Sequence, residues 1–124
     1  MNSLVIIDYG AGNLFGLKQA CLAAGLNPVV TNNKRKISEA KGLILPGVGS
    51  FNPAIEMLKT LEIIESIRSF ASSGKTLLGL CLGMQLLLDK SVEFGEHEIV
   101  KCARVFKFQK TRSQHVRECC IFRK

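Results

Sequence analysis

One cysteine, Cys81, stands between two glycines in the segment 79–83 (Gly-Leu-Cys-Leu-Gly). An apolar run precedes this segment, and a helix-forming stretch follows it. A strand that turns sharply into a helix projects the residue at the turn from a sheet edge, and flanking glycines let the chain turn without side-chain clashes. The following helix favours a thiolate and offers N–H donors to an oxyanion. The pattern predicts a nucleophilic cysteine; a buried structural cysteine is the alternative.

A second loop that could contribute to a reactive site covers residues 46–51 and follows the apolar run Gly42–Leu45. Its two glycines, Gly47 and Gly49, allow backbone N–H groups to approach a ligand closely. We therefore expect this loop to complete an oxyanion hole beside Cys81. An ordinary strand-to-helix turn is the alternative.

A third loop covers residues 8–13 (Asp-Tyr-Gly-Ala-Gly-Asn) and ends at Asn13, a good helix N-cap. Its glycines follow the pattern G-x-G-x-x-x-G, which is one residue longer than the dinucleotide-binding fingerprint. The acid expected about 20 residues further on is replaced by the basic stretch 32–36. The loop therefore does not favour a dinucleotide site.

Short apolar runs alternate with helical stretches and must position these loops. We predict strands at 4–7, 28–30, 42–45 and 76–80. We predict helices from Asn13 to Ala24, over 53–71 with a break near Thr60, and from Met84 to Leu88. Strands that are apolar on both faces are typical of an open, mostly parallel sheet with helices on both faces. Right-handed crossovers then bring the three loops to one sheet edge.

The composition changes near Glu98. Residues 1–98 carry no net charge and hold all 11 glycines, whereas residues 99–124 carry the whole formal charge of +7 and three of the 5 cysteines. We predict an α/β domain over 1–98 and a basic, cysteine-rich tail over 99–124. Nucleic-acid binding by this tail is one hypothesis, and a solvated basic tail is favoured over it. The hypothesis depends on basic residues interleaved with aromatic ones: Lys107, Lys110, Arg112, Arg117, Phe106 and Phe108.

Several other classes of site and location are not favoured. The possible zinc ligands Cys102, His115, Cys119 and Cys120 include no C-x2-C pair, so we expect no metal, and we expect no cofactor. Cys21 lies on the apolar face of the first predicted helix and is interpreted as structural. No apolar run approaches the roughly 18 residues of a membrane span, and no basic residue precedes the first apolar run. We therefore expect a cytoplasmic protein without disulfides or membrane partners.

Three motifs together resemble one known family. They are residues 6–13 (Ile-Ile-Asp-Tyr-Gly-Ala-Gly-Asn), 45–51 (Leu-Pro-Gly-Val-Gly-Ser-Phe) and 79–85 (Gly-Leu-Cys-Leu-Gly-Met-Gln). Their order and spacing are similar to those of the glutaminase subunit of imidazole glycerol phosphate synthase, a class I (triad) glutamine amidotransferase of histidine biosynthesis. Residues 93–97 also look familial, so the resemblance covers residues 1 to about 98. It implies a flavodoxin-like α/β fold.

The resemblance also implies roles for residues of the three loops. Cys81 would attack the side-chain amide of glutamine, form a γ-glutamyl thioester and release ammonia. The backbone N–H groups of Val48 and Leu82 would hold the oxyanion. Glutamine would be seated by Gly47, Gly49 and Gln85.

The implied partner is a cyclase subunit with a (β/α)8 barrel, which Asn13 and its loop would face in a heterodimer. Ammonia would pass through that barrel and close the imidazole ring. Amidotransferases of surface-sugar pathways, with other ammonia acceptors, are an alternative within the same resemblance.

The sequence departs from the family after about residue 98. The family completes its triad with a His and a Glu in a His-Pro-Glu motif far downstream. Residues 114–118 place a His and a Glu three apart without Pro, so those roles are not assigned to them. We expect a truncated or frame-shifted copy with impaired activity, because general acid–base catalysis contributes about 10²–10⁴-fold. A non-catalytic remnant that only docks to the cyclase is the alternative.

Overall fold

The computed structural model describes residues 4–87, 105–107 and 119–122. These residues form strands and helices that alternate along most of the chain. In chain order they are β1 (Leu4–Ile7), α1 (Leu14–Ala23), β2 (Val29–Thr31), α2 (Lys34–Glu39), β3 (Gly42–Leu45), α3 (Phe51–Thr60), α4 (Ile64–Ser72), β4 (Thr76–Leu80), α5 (Leu82–Leu87), β5 (Val105–Lys107) and β6 (Cys119–Phe122).

The strands form one sheet in the order β2-β1-β3-β4-β6-β5. The first four strands are parallel, with Leu43 opposite Val5 of β1 and opposite Leu77 of β4. β6 pairs antiparallel with β4, and β5 pairs antiparallel with β6. The predicted open, mostly parallel α/β sheet is therefore confirmed. β5 and β6 fall in the basic tail, where the sequence analysis predicted no strand.

Both faces of the parallel strands are apolar because both are covered by helices. Alternate residues, among them Ile7 and Leu45, point to a large core shared with α2, α3, α4 and α5. Their neighbours Ile6 and Ile44 point to the opposite face, where Cys21 of α1 packs against them. Cys21 is thus buried in this smaller core, as its apolar surroundings predicted.

The first helix begins and ends at the predicted residues. The Asn13 side chain accepts a hydrogen bond from the Gly16 N–H at 2.9 Å and caps the N-terminus of α1. At the other end Gly25 takes a φ of +80°, and the Leu26 N–H reaches back to the Cys21 carbonyl at 2.9 Å. This is a Schellman ending, in which glycine supplies the left-handed conformation.

The remaining helices agree with the sequence prediction in one place and differ from it in two. The break expected near Thr60 lies between α3 and α4, where Glu62 has a φ of +55°. α2 was not predicted, because Ile37 is its single buried residue and one apolar position makes no periodic pattern. α5 begins at Leu82 and not at Met84, and Leu88 lies outside the described residues. Among the described helices, none has the length and apolar character to cross a membrane.

Burial of two weak acids predicts how stability changes with pH. Burial raises the pKa of the Cys21 thiol and of the Tyr9 phenol. In the unfolded chain the two groups have their ordinary pKa values, about 8.5 for the thiol and about 10 for the phenol. Above these values unfolding releases protons, so each group lowers the stability of the folded protein as the pH rises, and below them it has no such effect. We expect the free energy of unfolding to fall by up to about 1.4 kcal/mol per pH unit for each group.

Urea unfolding curves between pH 7 and 11 measure this decline. Cys21→Ala should reduce the decline in unfolding free energy that begins near pH 8.5. Tyr9→Phe should reduce the decline that begins near pH 10. A slope identical in all three proteins would contradict the assignment.

Candidate functional site

Cys81 is the single residue between β4 and α5, and its thiol is exposed. Its φ is +52°, in the left-handed region that residues with a side chain rarely adopt. Such a conformation costs about 1–3 kcal/mol and persists only where the surrounding structure enforces it. A sharp strand-to-helix turn with a strained residue at its tip is the backbone geometry of a nucleophile elbow.

The glycines that flank Cys81 serve close packing. Neither Gly79 nor Gly83 is among the described glycines with a positive φ, so Cys81 itself makes the turn. A Cβ on Gly83 would overlap the Leu45 carbonyl oxygen, and a Cβ on Gly79 would lie 2.9 Å from the Met84 Cα. We expected these glycines to let the chain turn without side-chain clashes. In the structure their lack of a side chain instead lets α5 approach the ends of β3 and β4.

The three predicted loops meet at the carboxyl ends of the parallel strands. The Tyr9 hydroxyl of the first loop donates to the Pro46 carbonyl of the second at 2.5 Å. The Leu82 N–H, directly after Cys81, donates to the Gly47 carbonyl at 3.2 Å. A Cβ on Gly12 would lie 3.5 Å from the Gly47 nitrogen. The predicted convergence of the loops on one sheet edge is present in the structure.

The two N–H groups predicted to hold an oxyanion do not converge in this conformation. The Leu82 N–H is occupied by the Gly47 carbonyl. The described residues contain no cis peptide, so the Val48 N–H, on the same peptide unit as that carbonyl, points away from Leu82. The Val48 side chain is 64% exposed, and Gly49 beside it has a φ of +104°.

The other predicted site residues lie around this junction. Gln85 is exposed on the first turn of α5, and its N–H donates to the Cys81 carbonyl at 3.3 Å. Asn13 is exposed at the end of its loop, where its side chain caps α1.

Several predicted groups fall outside the described residues. They include both histidines of this sequence, so the described residues hold no histidine that could act as a base for Cys81. The same holds for the boundary near Glu98, residues 93–97 and 114–118, and Cys102, Lys110, Arg112 and Phe108. Within the described ranges, no group of three or more His, Cys, Asp or Glu side chains could hold a metal ion.

Tyr9 is the residue of the site that the sequence analysis did not single out. It is fully buried beneath the second loop, and burial raises its pKa. Its aromatic ring two residues after an apolar strand, inside a glycine-containing loop, was the available signal. The sequence cannot show that its hydroxyl reaches a carbonyl 37 residues away.

The packing at Gly83 predicts a large effect of adding one methyl group there. Gly83→Ala should destabilise the fold by more than about 2 kcal/mol, because backbone atoms of β3 and α5 must separate. Gly25→Ala is the matched control: its φ is +80°, but nothing lies within 4 Å of the new Cβ. It should cost about 1 kcal/mol. Thermal unfolding of both variants measures the difference, and equal losses would contradict the close-packing assignment.

Comparison with known proteins agrees with this architecture. A family model described as glutamine amidotransferase class-I matches residues 5–124. A solved structure titled "Crystal structure of glutamine amidotransferase" superposes with a TM-score of 0.67 at 19% identity, covering 84% of this chain and 62% of that one. This likeness supports the fold.

Curated relatives are more similar in sequence. The imidazole glycerol phosphate synthase subunit HisH of Sulfurimonas denitrificans is 47% identical over 95 residues, which are 77% of this chain and 46% of that protein. HisH 1 of Legionella pneumophila (strain Lens) is 46% identical over 98 residues, 79% of this chain and 46% of the relative. HisH of Aquifex aeolicus is 48% identical over 94 residues, 75% and 45% respectively.

The chain spans about half the length of these curated relatives. The division of the sequence near Glu98 stays a prediction. The family model matches nearly the entire chain, and the sheet and helices superpose on those of a solved glutamine amidotransferase. The chain belongs to the class-I glutamine amidotransferase family.

Proposed function

We propose that this chain carries the nucleophile of a glutaminase that supplies ammonia for imidazole glycerol phosphate formation in histidine biosynthesis. One observation carries the proposal: Cys81 has a φ of +52° at an exposed strand-to-helix turn. The identity of 46–48% to HisH subunits supports this pathway over that of a surface sugar.

The proposed reaction has two steps. The Cys81 thiol gives up its proton and attacks the side-chain amide carbon of glutamine as the thiolate. The tetrahedral intermediate collapses to a γ-glutamyl thioester when the C–N bond breaks, and the nitrogen takes up a proton in place of the one lost by the thiol and leaves as ammonia. Water then hydrolyses the thioester, which releases glutamate and restores the thiol. Gly47, Gly49 and Gln85 border the turn and are proposed to seat the glutamine.

The oxyanion of the intermediate requires a change in one peptide unit. The Gly47–Val48 peptide now presents its carbonyl to the Leu82 N–H. If this peptide turns over, the Val48 N–H takes the place of the carbonyl, and two N–H donors face the same point beside Cys81. The turn breaks one hydrogen bond, which is worth about 1 kcal/mol. The exposed Val48 side chain and the glycines at 47 and 49 leave the backbone free to make it.

Covalent labelling tests the nucleophile directly. A diazoketone analogue of glutamine should alkylate Cys81 in the unmodified protein, and peptide mass spectrometry should locate the adduct there. Cys81→Ala should abolish labelling and lower glutamine hydrolysis in the presence of a cyclase subunit to the background rate without this protein.

The control for this test is Cys21→Ala, which removes a buried thiol remote from the loops. Labelling at Cys81 should be unchanged in this variant. Unchanged hydrolysis in Cys81→Ala would refute the glutaminase. The absence of any adduct in the unmodified protein would favour a non-catalytic, docking role instead.

We further propose that the loop containing Asn13 faces a (β/α)8-barrel cyclase in a heterodimer, and that the reaction takes place in the cytoplasm. Asn13 is exposed at the sheet edge where the three loops meet. Phe15, two residues further along α1, is 75% exposed, which suits an apolar protein contact.

A pair of substitutions separates the two roles of Asn13. Asn13→Ser keeps an oxygen that can cap α1, so stability should stay within about 0.5 kcal/mol, while affinity for the cyclase should fall about tenfold. Asn33→Ala is the matched control, because Asn33 caps α2 in the same way through the Lys36 N–H. It should cost about 1 kcal/mol of stability and leave cyclase affinity unchanged. Calorimetric titration measures the affinities, and unaltered binding by Asn13→Ser would remove Asn13 from the interface.

A further inference from the structure

The loop that borders Cys81 is held from below by a single buried hydroxyl. Tyr9 is 0% exposed, and its hydroxyl donates to the Pro46 carbonyl at 2.5 Å. No backbone N–H of the described residues donates to that carbonyl. A Cβ added to Gly47 would overlap the Tyr9 hydroxyl, so oxygen and loop are in close contact.

The hydrogen bond fixes the loop at one residue. Proline has a φ locked near −65°, and the direction of its carbonyl determines its ψ. With the carbonyl held by Tyr9, both backbone torsions of Pro46 are therefore set. Rotation of the chain can begin only at Gly47, the residue that starts the peptide facing Leu82.

We propose that Tyr9 is a positioning residue for glutamine hydrolysis: its hydroxyl anchors the Pro46–Gly47 peptide so that the adjacent Gly47–Val48 peptide alone reorients beside Cys81. This inference rests on the proposed glutaminase function. It assigns a role in forming the oxyanion site to a buried residue of the loop after β1, whose hydroxyl bonds to Pro46 and not to Cys81.

The chemistry of Tyr9 suits an anchor. Because burial raises its pKa, the phenol stays protonated and remains a donor across the range in which enzymes work. A phenylalanine ring would fill the same apolar space but leave the buried Pro46 carbonyl without this donor. Because packing alone does not require the hydroxyl, we attribute its role to the hydrogen bond with the Pro46 carbonyl.

Two alkylating reagents distinguish an anchor from a residue that merely stabilises the core. The diazoketone analogue of glutamine requires the glutamine and oxyanion sites, whereas iodoacetamide requires only an accessible thiol. Tyr9→Phe should slow diazoketone alkylation of Cys81 about tenfold, the scale expected for one lost buried hydrogen bond, and leave the iodoacetamide rate within about twofold. The loss should lie in the maximal rate of alkylation more than in the reagent concentration for half-saturation, because the anchor acts on the oxyanion site.

Two further variants complete the test. Ile7→Val loosens the same core beneath the loop without touching Pro46, and it should leave both alkylation rates unchanged. Replacement of Tyr9 by 4-aminophenylalanine keeps a weaker N–H donor in the same position. It should give a diazoketone rate between those of the unmodified protein and Tyr9→Phe.

Every outcome of the experiment decides the proposal. Equal diazoketone rates for the unmodified protein and Tyr9→Phe, or a parallel fall in both reagents, would overturn the anchor. If Tyr9→Phe does not fold, 4-aminophenylalanine decides: a lower diazoketone rate at an unchanged iodoacetamide rate supports the anchor, and an unchanged diazoketone rate rejects it. If the unmodified protein itself reacts with iodoacetamide but not with the diazoketone, the glutaminase proposal fails, and the anchor fails with it for that separate reason.

Discussion

Backbone lies against backbone where the first turn of α5 crosses the end of β3. No side chain separates them, because the position that a Cβ of Gly83 would take is already filled by the Leu45 carbonyl oxygen. This approach brings the Leu82 N–H within 3.2 Å of the Gly47 carbonyl. It leaves one residue, Cys81, to connect strand and helix, and the left-handed conformation at that residue is the geometric result.

The sheet supplies the distances on which this contact depends. Leu45 at the end of β3 pairs with Gly79 near the end of β4, so the loops that follow both strands start at the same level. β1 lies on the other side of β3, and its following residues carry Tyr9 beneath the second loop. At this edge, closely packed glycines and a buried hydroxyl set the positions of the loops.

Much of this could be predicted from the sequence, because it depends on local patterns. The apolar runs of β1, β3 and β4, the Asn13 cap and the Gly25 ending are each recognisable within a few residues. α2 could not be predicted, since its six residues carry one buried apolar position. β6 depends on pairing with β4, and β5 on pairing with β6, which a composition rich in charge does not reveal.

The site, too, has features that local sequence reveals and features that depend on distant segments. This difference has a consequence for how the protein acquires its structure. The cysteine turn is visible in five consecutive residues, but its strained φ is imposed by β3, and the anchoring hydroxyl comes from the loop after β1. These three segments are joined through long connections and meet only when the parallel strands are in register. A chain still emerging from the ribosome therefore has an ordinary, relaxed cysteine at position 81. The strained turn requires all three segments to be in place, so a molecule in which they have not yet met does not carry it.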